Sequence, residues 1–281
     1  MDSIKCPICN SQSIYKSFTE KNYNLNINVC NNCYMIYQEI NNDVNYYELE
    51  CRTQDDYEQH AKNVADYIYD FVDVESKKIN SILEVGAFSH LVLNNIKKYY
   101  KHASRLCGLD LPSGKNKTEH IDGIKIIKDN CIDSKDEKYI NKLFGEKYDF
   151  IFCRHTLEHF INPILAIKNI KSLMNDDGLA FFEVPSFYWT EVNGVTTYHP
   201  EHLLYFTKNT LTQLFESCGF HVVKIKESKY WGNIKILVKK NKSKYFSSSK
   251  KINSIRRKWM YMLLQPIFVF IKRNKKINPN Q

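Results

Sequence analysis

Short apolar runs alternate with helical stretches from residue 78 onward, and this alternation leaves few folds open to the chain. Five of the runs have the length and composition of buried strands. They span residues 79–86, 105–110, 124–129, 148–153 and 178–185. Helical patterns fall between most of them, which predicts a parallel α/β sheet. Two more runs, 220–228 and 232–240, have no helix between them and predict an antiparallel hairpin that closes a seven-stranded sheet.

Four cysteines near the amino terminus form two pairs, with two residues inside each pair and twenty residues between the pairs. They are Cys6, Cys9, Cys30 and Cys33. Each pair makes a tight knuckle, and two knuckles complete a tetrahedral shell around one zinc ion. Four thiolates leave no position for water or substrate, so we expect a structural zinc in a module over residues 1–50. The alternative is four unrelated buried cysteines, which would need knuckle spacing twice by chance.

The chain has nine cysteines, and they favour thiols or metal ligands in a reducing cytoplasm over a disulfide framework. The amino terminus lacks a basic stretch followed by an apolar run. No eighteen apolar residues follow one another, so neither secretion nor a membrane span is indicated. The cysteines outside the two pairs are expected to be small buried residues: Cys51, Cys107, Cys131, Cys153 and Cys218.

Residues 51–77 are predicted to be a helix that links the zinc module to the main domain, which we place at residues 78–240. Seven apolar or aromatic side chains fall on one face of this segment at helical spacing. They are Tyr57, Ala61, Val64, Ala65, Ile68, Phe71 and Val72.

The positive charge of the chain is concentrated in its tail, which we place at residues 241–281. The net charge is +9, but the segment from Lys239 onward holds thirteen basic residues and no acidic ones, so the first 238 residues carry −4. This disfavours a nucleic-acid groove on the main domain, because phosphate binding needs positive charge where the strand lies.

Within the tail, residues 250–276 contain an apolar run with a cluster of basic residues on each side. The run from Trp259 to Ile271 has thirteen residues, which is too short to span a bilayer. It could lie in a membrane interface, contact a polyanion, dock on a partner or pack as an ordinary helix, and the sequence leaves these alternatives open.

Ligands of parallel α/β sheets bind at the carboxyl ends of the strands, so the residues after each run are site candidates. The first run ends at Gly86, the only glycine present of a phosphate-binding G-x-G-x-x-G loop. A cofactor without phosphates does not need the loop backbone to approach it as closely, so it depends less on the missing glycines. Asp110, 24 residues later, can accept hydrogen bonds from both hydroxyls of a ribose, and Asp129 could meet an adenine amino group. Either aspartate could instead be a helix cap or a turn residue.

Several segments, taken in order, resemble the class I S-adenosylmethionine-dependent methyltransferases. They are "ILEVG" (82–86), "GLD" (108–110), "YDFIFCRHTLEHFINP" (148–163), "MNDDGLAFFEVP" (174–185) and "EHLLYFTKNTLTQLFESCGF" (201–220). With the four-cysteine module in front, the chain is most similar to their zinc-containing branch, which methylates deoxysugars on nucleotide diphosphates. The resemblance implies a Rossmann-like seven-stranded methyltransferase sheet, S-adenosylmethionine as cofactor and a nucleotide sugar as the small-molecule acceptor.

The same resemblance assigns roles to the strand ends. It implies that Glu84 and Gly86 lie beside the methionine part of the cofactor, Asp110 on its ribose and Asp129 near its adenine. Family members usually carry another glycine two or three residues after the position of Gly86. The sugar C-methyltransferases of this branch also continue into a further α/β domain, for which this sequence has no counterpart.

The stretch "TTYHPEHLLYFT" (196–207) places two histidines after the fifth run. Its last residue, Thr207, predicts the start of an amphipathic helix that ends at Gly219. The histidines could bind a metal, cap the helix or form an acid/base cluster on the ligand side of the sheet. We favour the acid/base cluster, because methyl transfer requires a proton acceptor and histidine titrates near neutrality.

In the sugar C-methyltransferases, a tyrosine, a glutamate and a histidine of a similar Y-H-E-H stretch are functional. Glu201 and His202 correspond to two of them, and Tyr198 matches across an extra proline. We therefore predict His202 as the base, Glu201 as the residue that orients it, and Tyr198 or His199 as the contact to the acceptor. His159 matches a histidine near the substrate in this family, with a helix-surface histidine as the alternative.

Two other classes of function remain open. A zinc-knuckle nucleic-acid binder on an inactive methyltransferase fold would account for the knuckles, the basic tail and the single-glycine loop. A membrane-tethered scaffold for glycan assembly would bind vesicles through the tail. Only the enzyme is expected to bind S-adenosylmethionine.

Overall fold

The computed structural model describes residues 5–20, 23–40, 54–72, 78–112, 117–187, 198–227 and 232–241. Cys51 and the basic segment 250–276, with its apolar run, lie outside these residues. No helix in the described part of the chain is long and apolar enough to cross a membrane.

A small antiparallel sheet forms beside the amino-terminal cysteines. Its strands are β1 (Ile14–Glu20), β2 (Leu25–Cys30), β3 (Ile36–Gln38) and, from much later in the chain, β10 (Leu204–Tyr205). In β10, Leu204 lies opposite Tyr37 and Tyr205 lies opposite Ile36. This pairing was not predicted, and it attaches the loop of His199 and His202 to the cysteine module.

The main sheet has five parallel strands in its centre and antiparallel strands at both edges. In chain order its strands are β4 (Ser81–Val85), β5 (Arg105–Asp110), β6 (Thr118–Ile121), β7 (Ile124–Lys128), β8 (Tyr148–Arg154), β9 (Met174–Pro185), β11 (Phe220–Glu227) and β12 (Asn233–Lys240). The spatial order is β11-β12-β9-β8-β4-β5-β7-β6. The predicted hairpin of β11 and β12 pairs antiparallel with β9 and closes one edge of the sheet.

The sheet has eight strands rather than the predicted seven. The additional strand, β6, pairs antiparallel with β7 across a two-residue turn. Asp122 and Gly123 form this turn with φ values of +52° and +77°. Positive φ at both central residues is typical of the type I′ turn, for which Asp-Gly is a preferred sequence.

Helices cover both faces of the main sheet. They are α1 (Gln54–Val72), α2 (Leu91–Ile96), α3 (Glu137–Phe144), α4 (Pro163–Ser172) and α5 (Lys208–Ser217). Side chains of β8 alternate between the two cores, since Phe150 and Phe152 pack with α1 and α2, whereas Ile151 and Cys153 pack with α3, α4 and α5. Six of the seven side chains predicted on the buried face of α1 are buried, and Tyr57 is half-buried.

Helix α5 begins at Thr207, as predicted. The Thr207 hydroxyl accepts a hydrogen bond from the Thr210 backbone N–H, and the Thr210 hydroxyl accepts one from the Thr207 N–H, at 3.2 and 3.0 Å. This capping box satisfies backbone groups of the first turn and fixes the far end of the histidine loop.

Candidate functional site

The cofactor candidates meet where β4 and β5 end. Glu84 in β4 is only 3% exposed, and its Oε2 has no hydrogen-bond partner among the described residues. Burial raises the pKa of this carboxyl well above its ordinary value, although the charge of Arg154 opposes the shift. A buried carboxyl with an unused oxygen is costly, so this position favours a ligand that carries a donor or a positive charge.

The chain turns sharply at Gly86, which has φ +78°. A Cβ at this position would lie 2.0 Å from Thr156 Oγ1, so no residue with a side chain fits without movement. The Gly86 N–H donates to the Leu109 carbonyl at 2.8 Å, which fixes the loop to β5. Phe88 also lies in the left-handed region, at φ +43°, where a glycine would carry less strain.

The two aspartates lie at neighbouring strand ends. The Asp129 N–H donates to the Asp110 carbonyl at 2.9 Å. Asp110 Oδ2 is 3.3 Å from Lys128 Nζ, and Asp129 Oδ2 accepts a hydrogen bond from the Tyr139 hydroxyl at 2.9 Å. The structure thus brings together all four predicted cofactor residues along the carboxyl edge of β4, β5 and β7, in an arrangement that could hold an adenosyl group.

A buried ionic network continues along this edge to β8 and β9. Arg154 Nε donates to Glu183 Oε2 at 2.8 Å, and the Tyr67 hydroxyl of α1 donates to the same oxygen. Asn233 Nδ2 donates to Glu183 Oε1 at 3.0 Å and lies 3.3 Å from His155 Nε2. The sequence did not predict Arg154, Glu183, Tyr67 or Asn233 as part of the site. They hold the strand ends between the cofactor candidates and the histidines.

The predicted histidines come together beside the Gly86 loop. Thr156, which packs under Gly86, precedes a 3₁₀ turn over Leu157–His159. His159 Nδ1 is 2.7 Å from the carbonyl oxygen of Glu201, and its ring centroid is 5.0 Å from that of His202. The His199 and His202 centroids are 5.5 Å apart. The turn after β8 and the loop before β10 therefore form one cluster of imidazoles.

Glu158 lies at the centre of this cluster. It is 1% exposed, and neither carboxylate oxygen accepts a hydrogen bond within the described part of the chain. Its Oε1 is 3.5 Å from His155 Nδ1 and 3.9 Å from His159 Nε2. Ligand atoms of Glu158, His159 and His202 all lie within 4.8 Å of one another. Sequence reasoning did not select Glu158, although its position between two histidines was a signal.

Two carboxylates lie near the histidines of the loop before β10. Glu201 Oε2 is 3.9 Å from His199 Nδ1, and the carboxylate that neighbours His202 is Glu158. The Tyr198 ring packs against Tyr205, with centroids 5.2 Å apart, and is half-buried on the small sheet. The predicted roles of His202, Glu201 and Tyr198 remain predictions, and the hydrogen bond between Glu201 and His199 runs from the Glu201 backbone N–H to His199 Nδ1, at 3.4 Å.

The electrostatics of the cluster keep His202 unprotonated at neutral pH. Burial lowers the pKa of His202 to about 4, with the Glu158 carboxylate opposing the shift. Burial alone would raise the pKa of Glu158, but the imidazoles of His155 and His159 outweigh it and lower the pKa to about 2. At neutral pH His202 is therefore unprotonated, which is the state that a general base needs before it takes a proton.

The four amino-terminal cysteines form a separate cluster. Cys6 Sγ is 3.5 Å from Cys33 Sγ, and Cys9 Sγ is 3.5 Å from Cys30 Sγ. All four sulfur atoms lie within 4.8 Å of one another, and none is in a disulfide. A zinc ion with Zn–S bonds of about 2.3 Å holds its sulfur atoms about 3.8 Å apart. The spacing of the four thiols therefore fits a tetrahedral zinc site.

Comparison with known proteins gives a family match over most of the described body. A family described as a methyltransferase domain matches residues 56–225. No curated protein matches the chain in sequence.

Solved structures to which the chain shows some similarity include an O-methyltransferase family protein from Burkholderia thailandensis, 9% identical, with a TM-score of 0.48 over 66% of this chain and 59% of that one. This chain thus spans less than two thirds of that protein. A plantazolicin methyltransferase in complex with a triazolic desmethylPZN analog and SAH is 16% identical, with a TM-score of 0.47 over 65% and 83% of the two chains. A complex of the Trm112 methyltransferase activator and a putative methyltransferase from Haloferax volcanii is also similar. The sequence identity is 11% and the TM-score is 0.49, over 68% of this chain and 97% of that one.

Proposed function

Because this chain belongs to the methyltransferase domain family, we propose that it transfers a methyl group from S-adenosylmethionine to a small acceptor, a sugar or a nucleotide-activated sugar. The observation that carries the proposal is the adjacency of two sites at one sheet edge. The glycine loop with its strand-end carboxylates lies on one side of Thr156, and the histidine cluster lies on the other.

The cofactor side is suited to a nucleoside without phosphates. S-adenosylmethionine supplies a methyl group on a positively charged sulfur atom. Glu84, with its unused buried oxygen, would hold the methionine part next to Gly86. Asp110 would accept hydrogen bonds from the ribose hydroxyls, exchanging its 3.3 Å contact with Lys128, and Asp129 would lie near the adenine.

The acceptor side offers two pairs of histidine and carboxylate. His202 lies with Glu158, and His199 lies with Glu201. An acceptor hydroxyl, amine or acidic carbon must lose a proton as it gains the methyl group, and an unprotonated imidazole at hydrogen-bond distance can take that proton. Proton removal from the acceptor depends on His202 in this proposal, with His199, His159 and Tyr198 as the remaining contacts.

The choice of a sugar acceptor rests on the residue-by-residue match of Glu201 and His202 to the Y-H-E-H stretch of the sugar methyltransferases. Imidazole and carboxylate groups accept hydrogen bonds from sugar hydroxyls, and an imidazole N–H can donate to a sugar carbonyl, so the chemistry of the cluster is compatible with this class.

The four cysteines are proposed to hold one structural zinc ion. Two of the four, Cys6 and Cys30, are buried in the same core as α4 and α5, so the ion would tie the small sheet to the main domain. With four sulfur ligands it would have no open coordination position and take no part in methyl transfer.

The test is methyl transfer from isotopically labelled S-adenosylmethionine to a panel of nucleotide sugars, read by mass spectrometry. We expect one panel member to gain the labelled methyl group while S-adenosylhomocysteine accumulates. Tight cofactor binding without any transfer would contradict the acceptor class alone. Absence of cofactor binding would contradict the activity and favour the nucleic-acid or scaffold alternatives.

A further inference from the structure

We propose that Glu158, His159 and His202 together bind one divalent transition-metal ion at the acceptor side of the site. One carboxylate oxygen and two imidazole nitrogens lie within 4.8 Å of one another, from residues on two different loops. Two histidines and one carboxylate on one side of an ion leave further coordination positions open, as in catalytic metal sites.

The state of Glu158 is the first argument for a cation. Its side chain is 1% exposed, and both oxygens lack a hydrogen-bond donor within the described residues. His155 Nδ1 is 3.5 Å from Glu158 Oε1, beyond the range of a strong charge-assisted hydrogen bond. A buried carboxylate without donors is destabilising unless a cation balances it.

The orientation of His159 is the second argument. Its Nδ1 is 2.7 Å from the carbonyl oxygen of Glu201, a group that can only accept, so Nδ1 carries the proton. The lone pair is then on Nε2, which is the nitrogen 3.9 Å from Glu158 Oε1. Metal-binding histidines almost always donate their second ring N–H to a carbonyl or carboxylate in this way.

The loop that carries His202 is held rigidly enough to present a ligand. The His202 N–H donates to the His199 carbonyl at 3.0 Å, and the Leu203 N–H donates to the Glu158 carbonyl at 2.9 Å. Because Leu203 follows His202 directly, this second bond joins the backbone at Glu158 to the backbone next to His202. The three ligands therefore keep their spacing without the ion, which lowers the ordering cost of binding it.

The ligand set distinguishes this site from the cysteine cluster. Imidazole and carboxylate together favour ions such as Mn²⁺, Fe²⁺, Co²⁺ or Zn²⁺ over Ca²⁺ and Mg²⁺, which prefer oxygen ligands. Four thiolates favour Zn²⁺ and are poor ligands for Mn²⁺. Binding of Mn²⁺ can thus be measured while zinc remains on the cysteines.

The role of the ion, though not its binding, rests on the proposed function. A divalent cation lowers the pKa of a hydroxyl that binds to it, so it would promote ionisation of the acceptor. His202 would then act through the ion. Among the predicted catalytic histidines, His199 supplies no ligand, and it would take the proton by exchanging the 3.4 Å hydrogen bond that its Nδ1 accepts from the Glu201 N–H.

The experiment titrates Mn²⁺ into the full chain, with its cysteine zinc in place, and follows free Mn²⁺ by electron paramagnetic resonance. We expect one Mn²⁺ per chain, with affinity weakened at least about 10-fold to 100-fold in Glu158→Gln and His202→Ala. His199→Ala is the matched control, because His199 lies beside the cluster without supplying a ligand, and it should bind Mn²⁺ as the parent does. Circular dichroism on each variant checks that it is folded.

Wild-type protein that binds no Mn²⁺ would overturn the inference, and so would Glu158→Gln binding it as tightly as the parent. An equal loss in His199→Ala would overturn the ligand set. Labelled methyl transfer after chelator treatment separates this inference from the function itself. Transfer that persists unchanged without added metal would remove the role of the ion but leave the methyltransferase, whereas metal binding without cofactor binding would leave the site but remove the methyltransferase.

Discussion

The cysteine cluster and the histidine cluster both bring metal-ligating side chains within 4.8 Å of one another, but the chain builds them in different ways. Each cysteine pair lies in a knuckle closed by local hydrogen bonds, such as that from the Tyr34 N–H to the Cys30 carbonyl at 3.1 Å. The histidine cluster joins the turn after β8 to the loop before β10. Local spacing specifies the first cluster, whereas the second exists only in the folded sheet.

The two clusters also differ in what they leave unsatisfied. In the cysteine cluster the four sulfur atoms are spaced as the four ligands of one tetrahedral ion would be. In the histidine cluster a buried carboxylate has no donor, and neighbouring imidazoles face it. Proteins tolerate such destabilising groups mainly at functional sites. We therefore expect changes in the first cluster to act on stability and changes in the second to act on chemistry.

The largest effect should come from Cys30→Ser, which removes a zinc ligand. We expect loss of the zinc and a melting temperature lower by about 5–15 °C, because the binding energy of a structural zinc is part of the folding energy. Metal analysis and thermal melting measure this. Cys218→Ser, at a lone buried cysteine, should keep one zinc per chain. Freshly purified parent protein without zinc would contradict the prediction.

His202→Ala should have the opposite signature. Turnover should fall by about 100-fold to 10,000-fold, since the residue serves proton removal, while cofactor affinity and melting temperature change little. Single-turnover methyl transfer, cofactor titration and melting on the same sample measure the three quantities. His221→Ala, on the exposed side of β11, is the matched control. A large loss of melting temperature in His202→Ala would place this histidine with the cysteines, as a structural residue.

Asp110→Ala should affect the cofactor alone. We expect binding of S-adenosylmethionine to weaken by about 1.5–3 kcal/mol, through loss of charge-assisted hydrogen bonds to the ribose. Calorimetry on parent and variant measures the change. Asp176→Ala, which removes an exposed carboxylate paired with Lys240 at the other end of the sheet, should bind as the parent does. Equal affinity in Asp110→Ala would remove this residue from the site.

Gln38→Ala tests whether the two clusters are coupled, and its effect should be the smallest. Gln38 Nε2 donates to the Pro200 carbonyl at 3.1 Å, so it connects the small sheet to the histidine loop. Loss of one such hydrogen bond costs about 1 kcal/mol, and we expect turnover to fall several-fold with cofactor affinity unchanged. Asn26→Ala, which loses a bond to Glu39 on the same sheet, is the control. Unchanged turnover in Gln38→Ala would show that the loop keeps its position without the module.

Elements with strong local signals could be predicted from the sequence. The five parallel strands, the closing hairpin and the Thr207 cap followed from apolar runs and helix-start chemistry, and the four cysteines cluster as their spacing indicates. Strand β6 was missed because its residues lack an apolar run, although the Asp-Gly turn at 122–123 is a recognised hairpin signal.

The site was only partly predictable, because partners there come from distant segments. Which carboxylate lies beside His202 depends on how the turn after β8 meets the loop before β10, and sequence spacing does not contain that information. Glu158 and Glu183 are buried, at 1% and 2% exposure, and their partners come from other segments of the chain. An acidic residue in an otherwise buried segment is itself a signal, since such residues are rarely buried without a partner or a function.

The central claim is that the edge of β4 and β5 binds S-adenosylmethionine. Isothermal titration calorimetry of S-adenosylmethionine into the full chain tests it most directly, because it needs no knowledge of the acceptor. We predict one cofactor bound per chain, with the same site occupied by S-adenosylhomocysteine in competition. A folded, zinc-loaded protein that binds neither compound would contradict the account.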